Sequence, residues 1–372
     1  MSSISFPAGG APVVGWDVGG AHVKASLLVD GRLKDVAQWP APLWRGLAHL
    51  EPVLHAARCR WPEFGAARHG VTMTAEMTDL FPDREAGVLA LATWLACRLG
   101  ESTRFFAGPR DWPAQAGAAA RWRDLASANW LATAHLAAAA HPEGILADIG
   151  STTTDLIPIR AGRPVPRGRS DAERLAGGEL VYLGVSRTPL CALAKRMEFG
   201  GRRYNVMNEL FATSADVFRL TGELAADHDQ QPTADGAGKD EAATCRRLAR
   251  MIGMDARDAE PAAWRDFANR WRAALVGEIA CHLDRVAEDA GLPAAAPVVG
   301  AGCGIFVARE LAARCGRPFV PFHTLAGPAP RQPAWADTCA PSVAVAMLLA
   351  RWNGALPELT ASAALQEASS CG

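Results

Sequence analysis

The chain has 372 residues, 49% of them apolar and 21% charged, a composition that supports one large or two ordinary cores and excludes intrinsic disorder. A formal net charge of −1 gives no basic field for nucleic acid or an anionic membrane, so small molecules are the expected partners. Nine scattered cysteines, never arranged as CxxC, argue against a disulfide framework or structural zinc and fit a reducing cytoplasm. No signal peptide or membrane span is read: the longest small-residue run, Trp130 to Ala140, is interrupted by Thr133 and His135.

In chain order, Val13 to Asp17 and Val23 to Val29 read as strands around a glycine turn. Gly31-Arg32 then leads into a third strand, Leu33 to Trp39, making an antiparallel meander. The apolar spacing predicts helices over Leu43 to Arg60 and Arg84 to Leu99, a short strand at Val71 to Thr74 and another at Thr103 to Ala107. Trp112 to Ala140 reads as mostly helix, ended by His141-Pro142. The strand, turn, strand, hairpin order returns from Gly144 to Pro164. Helical patterns follow, among them Asp240 to Met251 and Trp264 to Glu288, as an insertion over about 189–290. Pro297 to Ala301 is a strand, Gly302-Cys303-Gly304 a turn, Phe306 to Cys315 a helix and Ala340 to Trp352 a last helix. The sequence thus predicts an α/β domain over 12–141, a second over 142–352 and a flexible tail over 353–372.

Laying Asp17 on Asp148 brings Gly19 onto Gly150, Gly20 onto Ser151 and Gly31-Arg32 onto Gly162-Arg163, which reads as a duplicated unit whose turns face one cleft. A strand entering DxGG places a carboxylate at its end and follows it with residues that let backbone N–H groups approach an anion. Asp17 and Asp148 are the candidate ligands of a divalent cation, Mg²⁺ by its preference for oxygen and water. Lys24 is placed to bring an ammonium onto the same anion, and Asp155 takes the matching place in the second copy. A third turn, Gly300 to Gly304, opens a helix and is a candidate ligand contact through Gly302 and Gly304. Each turn taken alone also reads as an ordinary tight hairpin or packing device.

The three segments resemble the two phosphate motifs and the adenosine motif of the superfamily of sugar kinases, actin and Hsp70 chaperones. More closely they resemble its hydantoinase A/oxoprolinase branch, and within it the proteins of tetrahydromethanopterin-linked one-carbon transfer, related to methanofuran-biosynthesis enzymes. The resemblance rests on Trp16 to Ala21, Asp148 to Ile159, Tyr182-Leu183-Gly184 with Arg187-Thr188-Pro189, Glu209 to Gly222, and Thr233 to Gly236 followed by Arg247 to Met251. It implies two actin-like (ribonuclease H-like) domains with mixed sheets. It also implies a transferase that joins an aminomethylfuran-methyl group, supplied as its diphosphate, to the phenol oxygen of γ-glutamyltyramine. Asp17, Gly19, Gly20, Lys24, Asp148, Gly150, Ser151, Thr152, Thr153 and Asp155 carry over as the diphosphate and metal site. Ala21 stands where kinases commonly carry Thr, a departure that sets ATP-dependent phosphoryl transfer in doubt, although ATP stays open as a ligand. A kinase or hydantoinase-like amidohydrolase, and a nucleotide-gated assembly module, are the alternative readings. Homo-oligomerisation is left open.

Among other residues, Arg187 is a candidate for a carboxylate or phosphate, or a surface cation. Asp227, His228, Asp229 and Asp235 read as a solvated acidic loop before a metal site. Glu76 and Asp79 are candidate bases for a phenol, or exposed loop carboxylates. His22 reads equally as ligand contact or packing. Most of the 12 tryptophans, including Trp112, Trp122 and Trp130, read as core.

Overall fold

A computed structural model describes residues 10–327 and 332–352. The chain divides into two compact units. One runs to Ala140 and resumes at His323; the other is His141–Phe322.

In the first unit, β1 (Val13–Val18), β2 (His22–Val29) and β3 (Arg32–Pro40) form the antiparallel meander, and β4 (Arg68–Met73) and β5 (Thr103–Phe105) extend it in parallel, giving the order β3-β2-β1-β4-β5. The predicted helix over Leu43 to Arg60 becomes two 3₁₀ turns followed by α1 (Glu51–Arg60), because Gly46 at φ 134° interrupts the backbone. α2 (Arg84–Leu99) has the predicted bounds, set by Asp83 capping Ala86 N–H and by Gly100 at its end. The tract after Trp112 divides into α3 (Ala118–Leu125) and α4 (Asn129–Ala140), parted by Ser127 at φ 50°.

The second unit repeats the plan. β6 (Gly144–Ile149), β7 (Thr154–Arg160) and β8 (Arg163–Pro164) form the meander. Between α5 (Asp171–Gly177) and the long insertion, β9 (Leu180–Val181) pairs with β7. The insertion is not purely helical: α6 (Leu190–Leu193) leads into a hairpin of β10 (Arg196–Phe199) and β11 (Arg202–Asn205), then α7 (Ser214–Leu220), α8 (Glu241–Arg250) and α9 (Pro261–Asp289). It has its own core, in which Phe199 stacks on Trp264 with centroids 4.5 Å apart and Phe267 and Trp271 continue the cluster. β12 (Val298–Ala301), α10 (Ile305–Arg314) and β13 (Phe319–Pro321) complete a sheet ordered β13-β12-β6-β7-β8, with β6, β12 and β13 parallel. Both units therefore share the strand plan of actin-like, ribonuclease H-like domains.

The expected second domain reached residue 352; the structure instead returns α11 (Pro333–Thr338) and α12 (Ala340–Arg351) to the first unit. α12 is buried along Ala340 to Leu349, and a helix apolar on all sides needs cover all round. It finds that cover on β1, β2, β4 and α4. Two strand glycines admit it: a Cβ at Gly15 would lie 2.5 Å from Ala346 N, and one at Gly70 would lie 2.9 Å from Val345 Cγ1. The tail over 353–372 lies outside the described residues.

Candidate functional site

In the first unit, the β1–β2 pairing sets Asp17 directly opposite Lys24. Side chains opposed across a ladder share a face, and here Lys24 Nζ lies 3.6 Å from Asp17 Oδ2, with the carboxylate side chain only 5% exposed. The turn between them is closed by Gly19 N–H donating to His22 C=O at 3.0 Å, a carbonyl that a Cβ on Gly19 would approach to 2.9 Å. Gly20 faces the Thr78 methyl just as closely, and its carbonyl accepts from Leu43 N–H. The turn is thus tied down on both sides. Its chemistry differs from the sequence reading in one respect: the Lys24 ammonium already stands beside Asp17, which makes that carboxylate a poorer seat for a divalent cation.

In the second unit, Asp148 and Asp155 face each other in the β6–β7 ladder. Gly150 N–H donates to Thr153 C=O at 2.8 Å and closes the turn. The loop after β9 is laid onto that turn: Val185 N–H donates to Gly150 C=O, and Ser186 and Arg187 N–H groups both donate to Ser151 C=O. Gly184 makes the approach feasible, because a Cβ there would lie 2.5 Å from Thr152 N. Arg187, exposed, donates through Nη1 to Thr152 Oγ1 at 3.3 Å, and Ser151 Oγ lies 3.4 Å from the same hydroxyl. The β12–α10 turn packs on the other side. Gly302, at φ 84°, would bring a Cβ to 2.7 Å from Asp148 Oδ1, and Gly304 N–H donates to Ile149 C=O at 2.8 Å. Asp148, Gly150, Ser151, Thr152, Arg187, Gly302 and Gly304 are therefore brought together within one unit.

Asp155 is engaged differently. The guanidinium of Arg174, 1% exposed on α5, pairs with its Oδ1, and Asp171 lies 3.8 Å from the same guanidinium. Arg174 escaped the sequence reading; its only signal is the Ser170-to-Glu173 capping box that starts α5. A second unread pair is His323, whose Nδ1 lies 2.8 Å from Asp337 Oδ2 while its backbone N–H donates to Oδ1.

The polar loop of the insertion is an ion network. Asp229 binds Arg219 at 2.6 Å and Lys239 at 3.1 Å, while Asp235 binds the fully buried Arg247 at 3.1 Å, which also holds Asp216 at 2.7 Å. Burial pushes the Asp229 carboxyl upward, yet its Arg219 and Lys239 contacts hold it below the usual range. The TADG and RLARM segments thus fasten the insertion. Glu76, expected on an exposed loop, is buried and accepts from Ser127 Oγ at 2.8 Å. Trp112 and Trp130 are core residues.

Among the described residues no group of three or more His, Cys, Asp or Glu side chains is arranged to hold a metal, and no helix is long and apolar enough to cross a membrane. The donor set around Asp148, one carboxylate closed in by the Gly302 backbone with hydroxyls nearby, fits a hydrated Mg²⁺ that takes further oxygens from its substrate.

A family model described as hydantoinase/oxoprolinase matches residues 114–350. The chain is 30% identical over 277 residues to a protein of Methanocaldococcus jannaschii named (4-{4-[2-(gamma-L-glutamylamino)ethyl]phenoxymethyl}furan-2-yl)methanamine synthase, covering 74% of this chain and 82% of that one. It is 31% identical over 148 residues to a Methanococcus vannielii protein of the same name, covering 40% of this chain and 66% of that one. A nucleotide-free structure of acetone carboxylase matches with a TM-score of 0.51 at 11% identity, over 88% of this chain and 70% of the other, which is a likeness of fold.

Proposed function

Because the chain belongs to the hydantoinase/oxoprolinase family, we propose that it is a synthase that transfers an aminomethylfuran-methyl group from its diphosphate to the phenol oxygen of γ-glutamyltyramine. The observation that carries the reading is the name of the two relatives, which describes an aryl ether of a furanylmethyl amine. Forming that ether requires the furanylmethyl carbon to lose a leaving group and gain the phenol oxygen. The C–O bond to diphosphate breaks with its electron pair on diphosphate, the phenol oxygen supplies the pair for the new bond, and the phenol proton leaves to the medium.

The turn of the second unit supports this chemistry. Ser151 and Thr152 hydroxyls and the Arg187 guanidinium form a polar group suited to the oxygens of a diphosphate, and the ten-residue helix α10 starts at the adjacent Gly304. Asp148 is the residue that would hold Mg²⁺, which when bound neutralises the charge developing on a departing diphosphate. Gly19, Gly20 and Lys24 keep their proposed role as anion contacts of the first unit, and Thr153 keeps its place in the second turn. A furan-stabilised carbon needs little push from a nucleophile, so the main demand on the protein is to stabilise the leaving anion.

Purified protein given the furanylmethyl diphosphate, γ-glutamyltyramine and Mg²⁺ should form the ether and release one diphosphate per ether, measured by mass spectrometry and a coupled diphosphate assay. Absence of the ether at all concentrations of both substrates defeats the reading.

A further inference from the structure

The loop that leaves β9 is held along its length. Thr154 Oγ1 donates to Leu183 C=O at 2.7 Å, and the Val185, Ser186 and Arg187 N–H groups donate into the Gly150–Ser151 turn. Thr188 closes the loop on itself: its hydroxyl accepts from Gly184 N–H at 2.8 Å and donates to Gly184 C=O at 3.0 Å. Ser214 on α7 clamps the Thr188 backbone, its Oγ accepting from Thr188 N–H while its own N–H donates to Thr188 C=O. Leu183 packs against the core of the unit and Val185 is fully buried in it.

Two long side chains of this loop stay exposed, Arg187, which reaches the Thr152 hydroxyl, and Tyr182. Tyr182 is 57% exposed, more than any other large apolar side chain among the described residues, and its hydroxyl has no hydrogen-bond partner among them. The chain's other tyrosine, Tyr204, is packed on the core of the insertion. β9 pairs Val181 with Thr154, the residue that follows the second turn, so Tyr182 leaves the strand beside that turn. A loop this firmly tied cannot fold the ring away from water, and the ring is instead pre-organised to receive a flat group, with a hydroxyl that stays hydrated.

We propose that Tyr182 is a specificity residue of this site: its ring is the platform on which the furan of the diphosphate substrate stacks, while Arg187 and the Ser151 and Thr152 hydroxyls hold the diphosphate. One methylene joins that furan to its diphosphate, so an anion seated on the turn carries its ring to the loop that is laid on the same turn. The phenol of the second substrate has no such tether. The assignment rests on the transferase reading and adds to it the group that recognises the furan.

The test separates ring from anion with two compounds that cannot react. One is a furanylmethyl phosphonophosphate, in which CH₂ replaces the ester oxygen; the other is its ethyl counterpart, which lacks the ring. Isothermal titration of the full chain with Mg²⁺ should show the furan compound bound more tightly than the ethyl one. Tyr182→Ala should weaken the furan compound by about three- to tenfold and leave the ethyl compound within about twofold. Tyr182→Phe should keep both affinities, because the face of the ring and not its hydroxyl makes the contact. The change lies on the surface, so both variants should keep their Tm within a few degrees. Equal affinity of the unaltered chain for the two compounds overturns the proposal. So does an equal change for both compounds in Tyr182→Ala, or a loss in Tyr182→Phe as large as in Tyr182→Ala. In turnover, Tyr182→Ala should raise KM for the furanylmethyl diphosphate and leave KM for γ-glutamyltyramine within about twofold; the reverse pattern assigns the ring to the phenol and overturns the proposal. An unaltered chain that prefers the furan compound but forms no ether defeats the transferase reading and leaves the stack in place.

Discussion

Asp17 and Asp148 hold matching places in two strands, and their surroundings separate them. Lys24 stands beside the first, while the second lies against a glycine backbone and a hydroxyl-bearing turn. Asp148→Asn keeps the shape and removes the charge, so kcat for ether formation should fall by about 10³-fold or more with Tm within a few degrees of the unaltered chain. A parallel loss of fold and activity would show a structural carboxylate instead. His69 gives the clearest pH dependence. It is fully buried, and Trp16 Nε1–H donates to its Nδ1 at 3.2 Å. Burial, with the Arg58 charge nearby, lowers its pKa from 6.5 to about 3. The unfolded chain therefore binds the extra proton between those values. This contribution to stability is complete above pH 6.5 and is lost as pH falls toward 3, at up to about 1.4 kcal/mol per pH unit. Urea titrations at several pH values should show that slope, and His69→Gln should remove it. At this scale the two aspartates and their glycines were legible in the sequence because the motif is local. Arg174 was not, because nothing in the spacing between residues 155 and 174 says that the guanidinium will be buried against the turn.

Helices tell a similar story. α2 and α9 follow their apolar spacing closely, whereas the stretch over 43–60 is broken by a glycine whose conformation the periodicity does not register. α12 was recognisable as a helix but not as a member of the first unit, since an apolar helix carries no label for the sheet it will cover. The label lies in Gly15 and Gly70, far away in sequence. Gly15→Ala should therefore push α12 off β1 and cost about 1–3 kcal/mol or more. Gly65→Ala, where an added Cβ meets nothing within 4 Å, should change stability by less than about 0.5 kcal/mol. Chemical denaturation of the two variants side by side checks the contrast, and equal losses would count against the packing account. The insertion was read as helical because its two-strand hairpin is short and strongly charged, with Arg196, Glu198, Arg202 and Arg203 outweighing its few apolar positions.

For the whole molecule, the duplication of the Asp-x-Gly turn foretold two α/β units, and the matching strand orders of the two sheets are its physical expression. The order of assembly has a further consequence. The second unit, His141–Phe322, is one uninterrupted stretch of chain, while the first must wait for a helix encoded at its far end. During synthesis, the grooves over Gly15 and Gly70 stay uncovered while the 200 residues from Ala140 to Ala340 are added (340 − 140), about 10–40 s at usual elongation rates. The second unit should fold on the ribosome first. A chain stopped at Phe322 should accordingly yield a protease-resistant second unit and an unfolded first one, as seen by limited proteolysis with mass spectrometry. Nascent chains caught in that interval are where a chaperone would be expected to bind, at the bare face of β1 and β4.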